Sequence, residues 1–191
     1  MNKKQISLMT IPVLFLIVAV SMFQAGAAYQ RNVSIGIDVG MHSFHTTAYV
    51  TKADGSIIDL GYHAGVLTTS GKDYIEGKLA DTTFANATAY TVYISLSNST
   101  STPAAAWKDI PGEIVTGGLE RATATYASTG AGVWTLTHQW TASATNTGVQ
   151  CVGFNWDAAA NSGSLLWADV FTPVTLASGD KLTVVGTSTV S

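Results

Sequence analysis

The chain has 191 residues, with 9 basic and 12 acidic side chains, a formal net charge of −3 and only 11% charged residues, against about 25% in an ordinary globular domain. No basic stripe is present to neutralise phosphates, so nucleic-acid binding is disfavoured. The one cysteine, Cys151, excludes an internal disulfide, so an exported chain of this kind must draw its stability from burial or from neighbouring copies.

The first 28 residues read as a leader. Lys3 and Lys4 precede an apolar run over 6–23, and Gln24-Ala25-Gly26-Ala27-Ala28 follows. A positive end, an apolar middle and small residues at a cleavable site form a secretory signal. Cleavage after Ala27 or Ala28 is expected; the alternative is an uncleaved membrane anchor, because the stretch from Ile6 to Ala28 is just long enough to span a bilayer. Both readings place residues 29–191 outside the cytoplasm, as a single domain attached to a membrane only through the leader. Without Lys3 and Lys4 the remainder carries 7 basic and 12 acidic residues. Thr, Ser, Ala and Gly fill the surface instead, which suits close subunit packing or glycan cover better than a freely soluble enzyme.

From residue 32 onward the pattern is β. Val33, Ile35, Ile37 and Val39 alternate with small or polar residues at period two. A second extended run covers 44–51, Ala53-Asp54-Gly55 signals a turn, and 57–60 resumes a strand, so 33–67 reads as a meander of short strands. The one helix is expected over about 70–80, with Ser70 as N-cap, Asp73 as a weak capping-box partner, and Tyr74, Ile75, Lys78 and Leu79 along one side. A strand over 90–97 follows a loop. Further strands are expected at 119–127, 132–142, 148–156, 164–172 and 181–190, separated by Thr129-Gly130, Thr145-Asn146, Asn161-Ser162-Gly163 and Ser178-Gly179-Asp180. Such regular punctuation predicts an all-β fold, a β-sandwich or jelly-roll-like barrel. Trp134, Leu136 and His138 share one face of their strand, and Thr135, Thr137 and Gln139 the other.

Ile35-Gly36-Ile37-Asp38-Val39-Gly40 resembles the first phosphate-binding hairpin of actin- and hexokinase-type ATPases and the first catalytic strand of some transposases. No second phosphate motif accompanies it, and an exported chain is removed from ATP; the segment reads as a hairpin with Gly where strands bend. His42 and His45 are three apart and so point to opposite faces of a strand, although His63 could approach one of them across a hairpin. Asp157, Asn161 and Asp169 are weak calcium candidates, their oxygens flanking a turn. Local Asx bonding is the simpler reading. Cys151 lies in an apolar run and reads as a small buried hydrophobe. Asn32, Asn86 and Asn98 open Asn-x-Ser/Thr triplets and are candidate glycosylation sites. No Gly-x-Ser-x-Gly elbow and no carboxylate pair stands out, so no catalytic residue and no cofactor is assigned.

The region from about residue 60 to the C-terminus resembles tail-fibre-associated and other virion surface proteins of tailed phages. The likeness lies in His63-Ala64-Gly65-Val66-Leu67-Thr68-Thr69-Ser70-Gly71-Lys72-Asp73-Tyr74-Ile75, in Tyr93-Ile94-Ser95-Leu96-Ser97-Asn98-Ser99-Thr100 before Pro103-Ala104, and in Gly118-Leu119-Glu120-Arg121-Ala122. It continues in Leu165-Leu166-Trp167-Ala168, Phe171-Thr172-Pro173-Val174-Thr175-Leu176 and Gly179-Asp180-Lys181-Leu182-Thr183-Val184. The resemblance implies a β-sandwich with a structural role in a multisubunit assembly and no catalytic residues. The leader is a departure, since assembled phage parts need none; it points to a cellular, archaeal or enveloped-virus surface.

The expected function is a secreted, non-enzymatic subunit of an extracellular filament, sheath or surface layer. Its partner would be itself, joined by sheet-edge pairing, with Val33, Ile35, Ile37 and Val39 as a candidate donated strand. The alternative is a virion or cell-surface adhesin that binds glycans, for which Trp107, Trp134, Trp140, Trp156 or Trp167 would have to be exposed.

Overall fold

Period-two alternation is realised most plainly in β1 (Ser43–Thr51), where Phe44, Thr46, Ala48 and Val50 are buried and the residues between them are half exposed. The structure, a computed structural model, describes residues 43–80 and 92–190; the leader and the predicted strand at 33–39 lie outside this range. β1 turns back at Ala53-Asp54-Gly55. There Gly55 N donates to Lys52 O at 2.9 Å and Ser56 N to Asp54 Oδ1 at 2.9 Å, an Asx-stabilised turn. β2 (Ile57–Ala64) then runs antiparallel to β1.

The predicted meander ends there, because β3 (Val66–Leu67) leaves this sheet and pairs with the other one. Gly65 is the crossing point. Its amide donates to Phe44 O at 2.8 Å, and a Cβ at this position would sit 2.9 Å from Trp167 Cδ1. Only glycine passes so close to that ring.

Helix α1 (Thr69–Ala80) follows. Its cap is Thr68, not Ser70. The buried Thr68 hydroxyl accepts from Gly71 N at 2.9 Å and lies against the Leu165 and Leu166 carbonyls. Both hydroxyls stand at plausible capping positions; the one anchored to a neighbouring strand sets the start of the helix. α1 packs on β9, with Tyr74 and Ile75 partly buried against the core.

The remaining strands are β4 (Tyr93–Ser97), β5 (Ala122–Thr123), β6 (Thr125–Gly130), β7 (Val133–Thr141), β8 (Asn146–Asn155), β9 (Leu165–Leu176) and β10 (Lys181–Thr189). They form two five-stranded antiparallel sheets, ordered β2-β1-β10-β7-β6 (sheet A) and β3-β9-β8-β4-β5 (sheet B). The expectation of an all-β, sandwich-like fold with one short helix is met. Among the described residues no helix is long and apolar enough to cross a membrane.

The core lies between the sheets. Ala48, Val50, Leu136, Trp140, Leu182 and Val184 of sheet A meet Ile94, Leu96, Val152, Phe154, Trp167 and Leu176 of sheet B. Gly186 on β10 faces Phe154, and a Cβ there would overlap the Phe154 ring; sheet A is hollowed at that point to receive the aromatic side chain. Sheet B is also covered on its outer face. Ile110, from the long connection between β4 and β5, closes over Cys151, Leu165 and Ala168, with Trp107 and Val170 at the margin. Cys151 is fully buried. Burial, and then the nearby Asp169 charge, push its thiol up to about 12, so it stays protonated and inert.

Candidate assembly edges and the polar groups around them

A sheet edge carries unpaired N–H and C=O groups, and soluble proteins normally blunt it with Lys, Pro, bulges or very short strands. Sheet B follows that rule. Its outer strands β3 and β5 are two residues each, and Pro173 lies on β9 beyond the Ala168 and Trp167 pairing with β3. Sheet A follows it only through single bulges. Its edge strand β6 is six residues, TYASTG, all exposed and with neither charge nor proline, and breaks register once, between Ser128 and Gly130. Tyr126 in this strand is 62% exposed. The opposite edge, β2, presents Ile57 at 69%, Ile58 at 40% and Tyr62 at 65% exposure, with Asp59 as its single charge. A break in register between Thr47 and Tyr49 bends β2 at one point only.

The outward face of sheet A is correspondingly free of charge over its middle. The aligned rows across β1, β10 and β7 are His45-Thr187-Thr135, Thr47-Val185-Thr137, Tyr49-Thr183-Gln139 and Thr51-Lys181-Thr141. Gln139 Nε2 donates to Thr183 Oγ1 at 2.9 Å. Cross-strand threonine pairs stabilise a sheet without adding charge.

A buried polar cluster lies where β1, β2 and β9 meet. Asp169 is 3% exposed. Its Oδ1 accepts from Val170 N at 2.7 Å, and its Oδ2 is buried without a partner. Thr46 Oγ1, His45 Nδ1, Ser188 Oγ and Trp167 Nε1 are likewise buried and unpartnered. Burial raises the Asp169 carboxyl above its ordinary value, outweighing the lowering by the Val170 amide and by the nearby His63 and His45. The proton is thus held more tightly in the folded chain than in the unfolded one. Stability contributed by this group is full at low pH and is lost as pH rises through the folded-state value. Asp169→Asn is expected to raise stability at pH 7 by about 1 kcal/mol and to lose that advantage near pH 3; urea midpoints at the two pH values check it.

The opposite sign holds at the Lys52–Asp180 pair, 2.7 Å apart. Asp180 also accepts from Ala177 N at 2.8 Å and Ala53 N at 3.1 Å. The Lys52 hydrogen bond, followed by those amides, lowers its carboxyl. This pair joins the β1–β2 turn to the β9–β10 turn.

The sequence-derived site residues scatter. Val33, Ile35, Ile37, Val39, Asn32 and Asn86 lie outside the described residues. Asn98 is exposed just after β4, with its carbonyl accepting from Gln150 Nε2 at 3.3 Å. Asp157 bonds its own loop, Oδ1 accepting from Ala159 N at 3.0 Å, and Asn161 takes a left-handed φ of 56° in the same loop. Asp169 instead faces into the sandwich, with His45 and His63 near it. No group of three or more His, Cys, Asp or Glu side chains among the described residues is arranged to hold a metal. Sequence reasoning missed the buried ion pair of Arg121 and Glu113, with side chains 5% and 4% exposed. The only available signal was an arginine inside Gly-Leu-Glu-Arg-Ala in a chain with few charges. No family model, curated protein or solved structure matches the chain; the likeness to tailed-phage surface proteins rests on its short motifs alone.

Proposed function

We propose that this chain is an exported, non-enzymatic structural subunit of an extracellular filament, sheath or surface layer, whose copies join through the edges of sheet A. The observation that carries the reading is the contrast between the sheets: sheet B is blunted at both sides, while sheet A ends in an uncharged, proline-free, fully exposed β6 and an apolar β2. Two different edges on opposite sides of one sheet make a head-to-tail contact, and such contacts propagate unless they close into a ring. The outer face, uncharged over its middle, keeps repulsion between copies low. The alternating segment Val33, Ile35, Ile37, Val39 supplies a second strand of suitable pattern for the same edges.

The test is a pair of lysines on β6. Thr125→Lys with Ala127→Lys is expected to raise the concentration needed for assembly at least tenfold, about 1.4 kcal/mol per contact. The fold should be unaffected, within about 0.5 kcal/mol, because both positions are exposed. Electron microscopy and sedimentation of wild-type and variant secreted protein read the result. Wild-type material that stays monomeric at every concentration, or lysine variants that assemble as before, would end the proposal. Deleting 29–39 separates its two forms: loss of assembly points to strand donation, and retention to direct edge pairing.

A further inference from the structure

A depression beside the first turns of α1 has features that the assembly reading does not use. Tyr74 of α1 and Trp156, just past β8, stack with ring centroids 4.6 Å apart and planes 14° apart. Lys78 Nζ lies 5.4 Å from the centroid of Tyr74. The two rings, with Ser70, Asp73 and Gly163, line one open depression of about 300 Å³. Both aromatic residues pack partly against the core, yet both stay half exposed, and Asp73 is exposed beside them.

The loop that carries the far wall is held from several directions. Arg121 Nη1 donates to Asp157 O at 2.9 Å and Ala159 O at 2.7 Å, while its Nε and Nη2 grip Glu113 at 2.8 and 2.7 Å. Gly163 N donates to the Asp109 carboxylate at 3.1 and 3.2 Å. Trp156 N donates to Ser164 O at 3.1 Å. The loop tip is solvent-exposed over 157–162, yet these bonds hold it in one place. Rigid support of that kind is what a binding wall requires, because it removes the ordering cost from association.

We infer that this depression binds a neutral sugar residue of a glycan. Tyr74 is stacked on Trp156 and overlaid by Lys78, which leaves the half-exposed Trp156 its face turned away from Tyr74; that face is electron-rich, and the weakly positive C–H face of a pyranose is its complement. The Asp73 carboxylate can accept from two neighbouring sugar hydroxyls, and the Ser70 hydroxyl can donate or accept. The volume is at the small end of ligand sites and suits one sugar ring rather than a large ligand. Asp73 on the wall and the Lys78 ammonium over Tyr74 offset each other, which suits an uncharged sugar. The Lys78 ammonium already stands over the Tyr74 ring, so a second cation would meet its repulsion there. The site uses α1 and the 157–164 loop, not the edges of sheet A, so it stands or falls separately from the assembly reading.

The test uses the secreted full-length protein and a panel of neutral oligosaccharides of glucose, mannose and galactose, with a glucuronic-acid oligomer for contrast. Tryptophan fluorescence, calorimetry and the Trp156 indole NMR signal are the readouts. At least one neutral oligosaccharide is expected to bind saturably and shift the Trp156 signal. Asp73→Ala should weaken that binding about tenfold or more, and Glu76→Ala, on the same helix but not lining the depression, should leave it unchanged; both residues are exposed, so thermal melts of both variants should match wild type. The inference is overturned if no neutral oligosaccharide binds, if Asp73→Ala binds as wild type does, or if the acidic oligomer is preferred.

Discussion

Arg121→Ala is expected to destabilise the domain by about 3–5 kcal/mol, the cost of stranding one member of a buried ion pair. The arginine spans Glu113, with its two bonds at 2.8 and 2.7 Å, and the carbonyls of Asp157 and Ala159. Removing it leaves a carboxylate that is 4% exposed and two carbonyls that lose a charged donor. Arg121→Lys should recover little, because an ammonium cannot reproduce the planar fork. The double variant Arg121→Met, Glu113→Met should recover more than half of the loss, since an apolar pair of similar size removes the stranded charge. Urea unfolding reads all three, with an unchanged slope showing that only stability has moved. A loss below about 1 kcal/mol for Arg121→Ala would mean that water reaches Glu113 freely.

Trp167→Ala is expected to cost a comparable 3–5 kcal/mol or so. Trp167 is 3% exposed and lies between Phe44 of sheet A, at 4.5 Å, and Phe154 of sheet B, at 4.2 Å. Its removal opens a cavity at the point where the sheets are stapled together by aromatic contact. The indole N–H has no partner, so Trp167→Phe keeps most of the packing and removes an unsatisfied donor; its cost should stay below about 1.5 kcal/mol. Equal losses for the two variants would contradict this account.

Much of the strand content was legible because it rests on local signals. The alternation of Trp134, Leu136 and His138 against Thr135, Thr137 and Gln139 runs along β7, where Leu136 is buried and Trp134 and His138 are half-buried. The turn at Ser178-Gly179-Asp180 separates β9 from β10 as expected. What the pattern could not show is which strands become neighbours. β10 lies between β1 and β7, and Ser43 pairs with Thr189; no local chemistry marks partners that far apart. Parity also fails where strands bulge. Leu166 and Trp167 are adjacent, yet both pack on the main core, and so the inward turn of Asp169 was hidden. The Arg121–Glu113 pair lies in irregular chain, where no period brings two residues to one side. Tyr74 and Trp156 come from separate elements, and their stacking depends on how the helix docks.

The pairing of Ser43 with Thr189 has a mechanical consequence. The described chain enters and leaves at one corner, so a pull on its two ends would peel β1 from β10 one hydrogen bond at a time, like a zipper. In an assembly joined at β2 and β6, traction would run at right angles to this, across the strands. Every ladder would then take the load on all its pairs at once, nine of them in β1–β10 and nine in β10–β7. The same fold would yield easily along one axis and resist along the other.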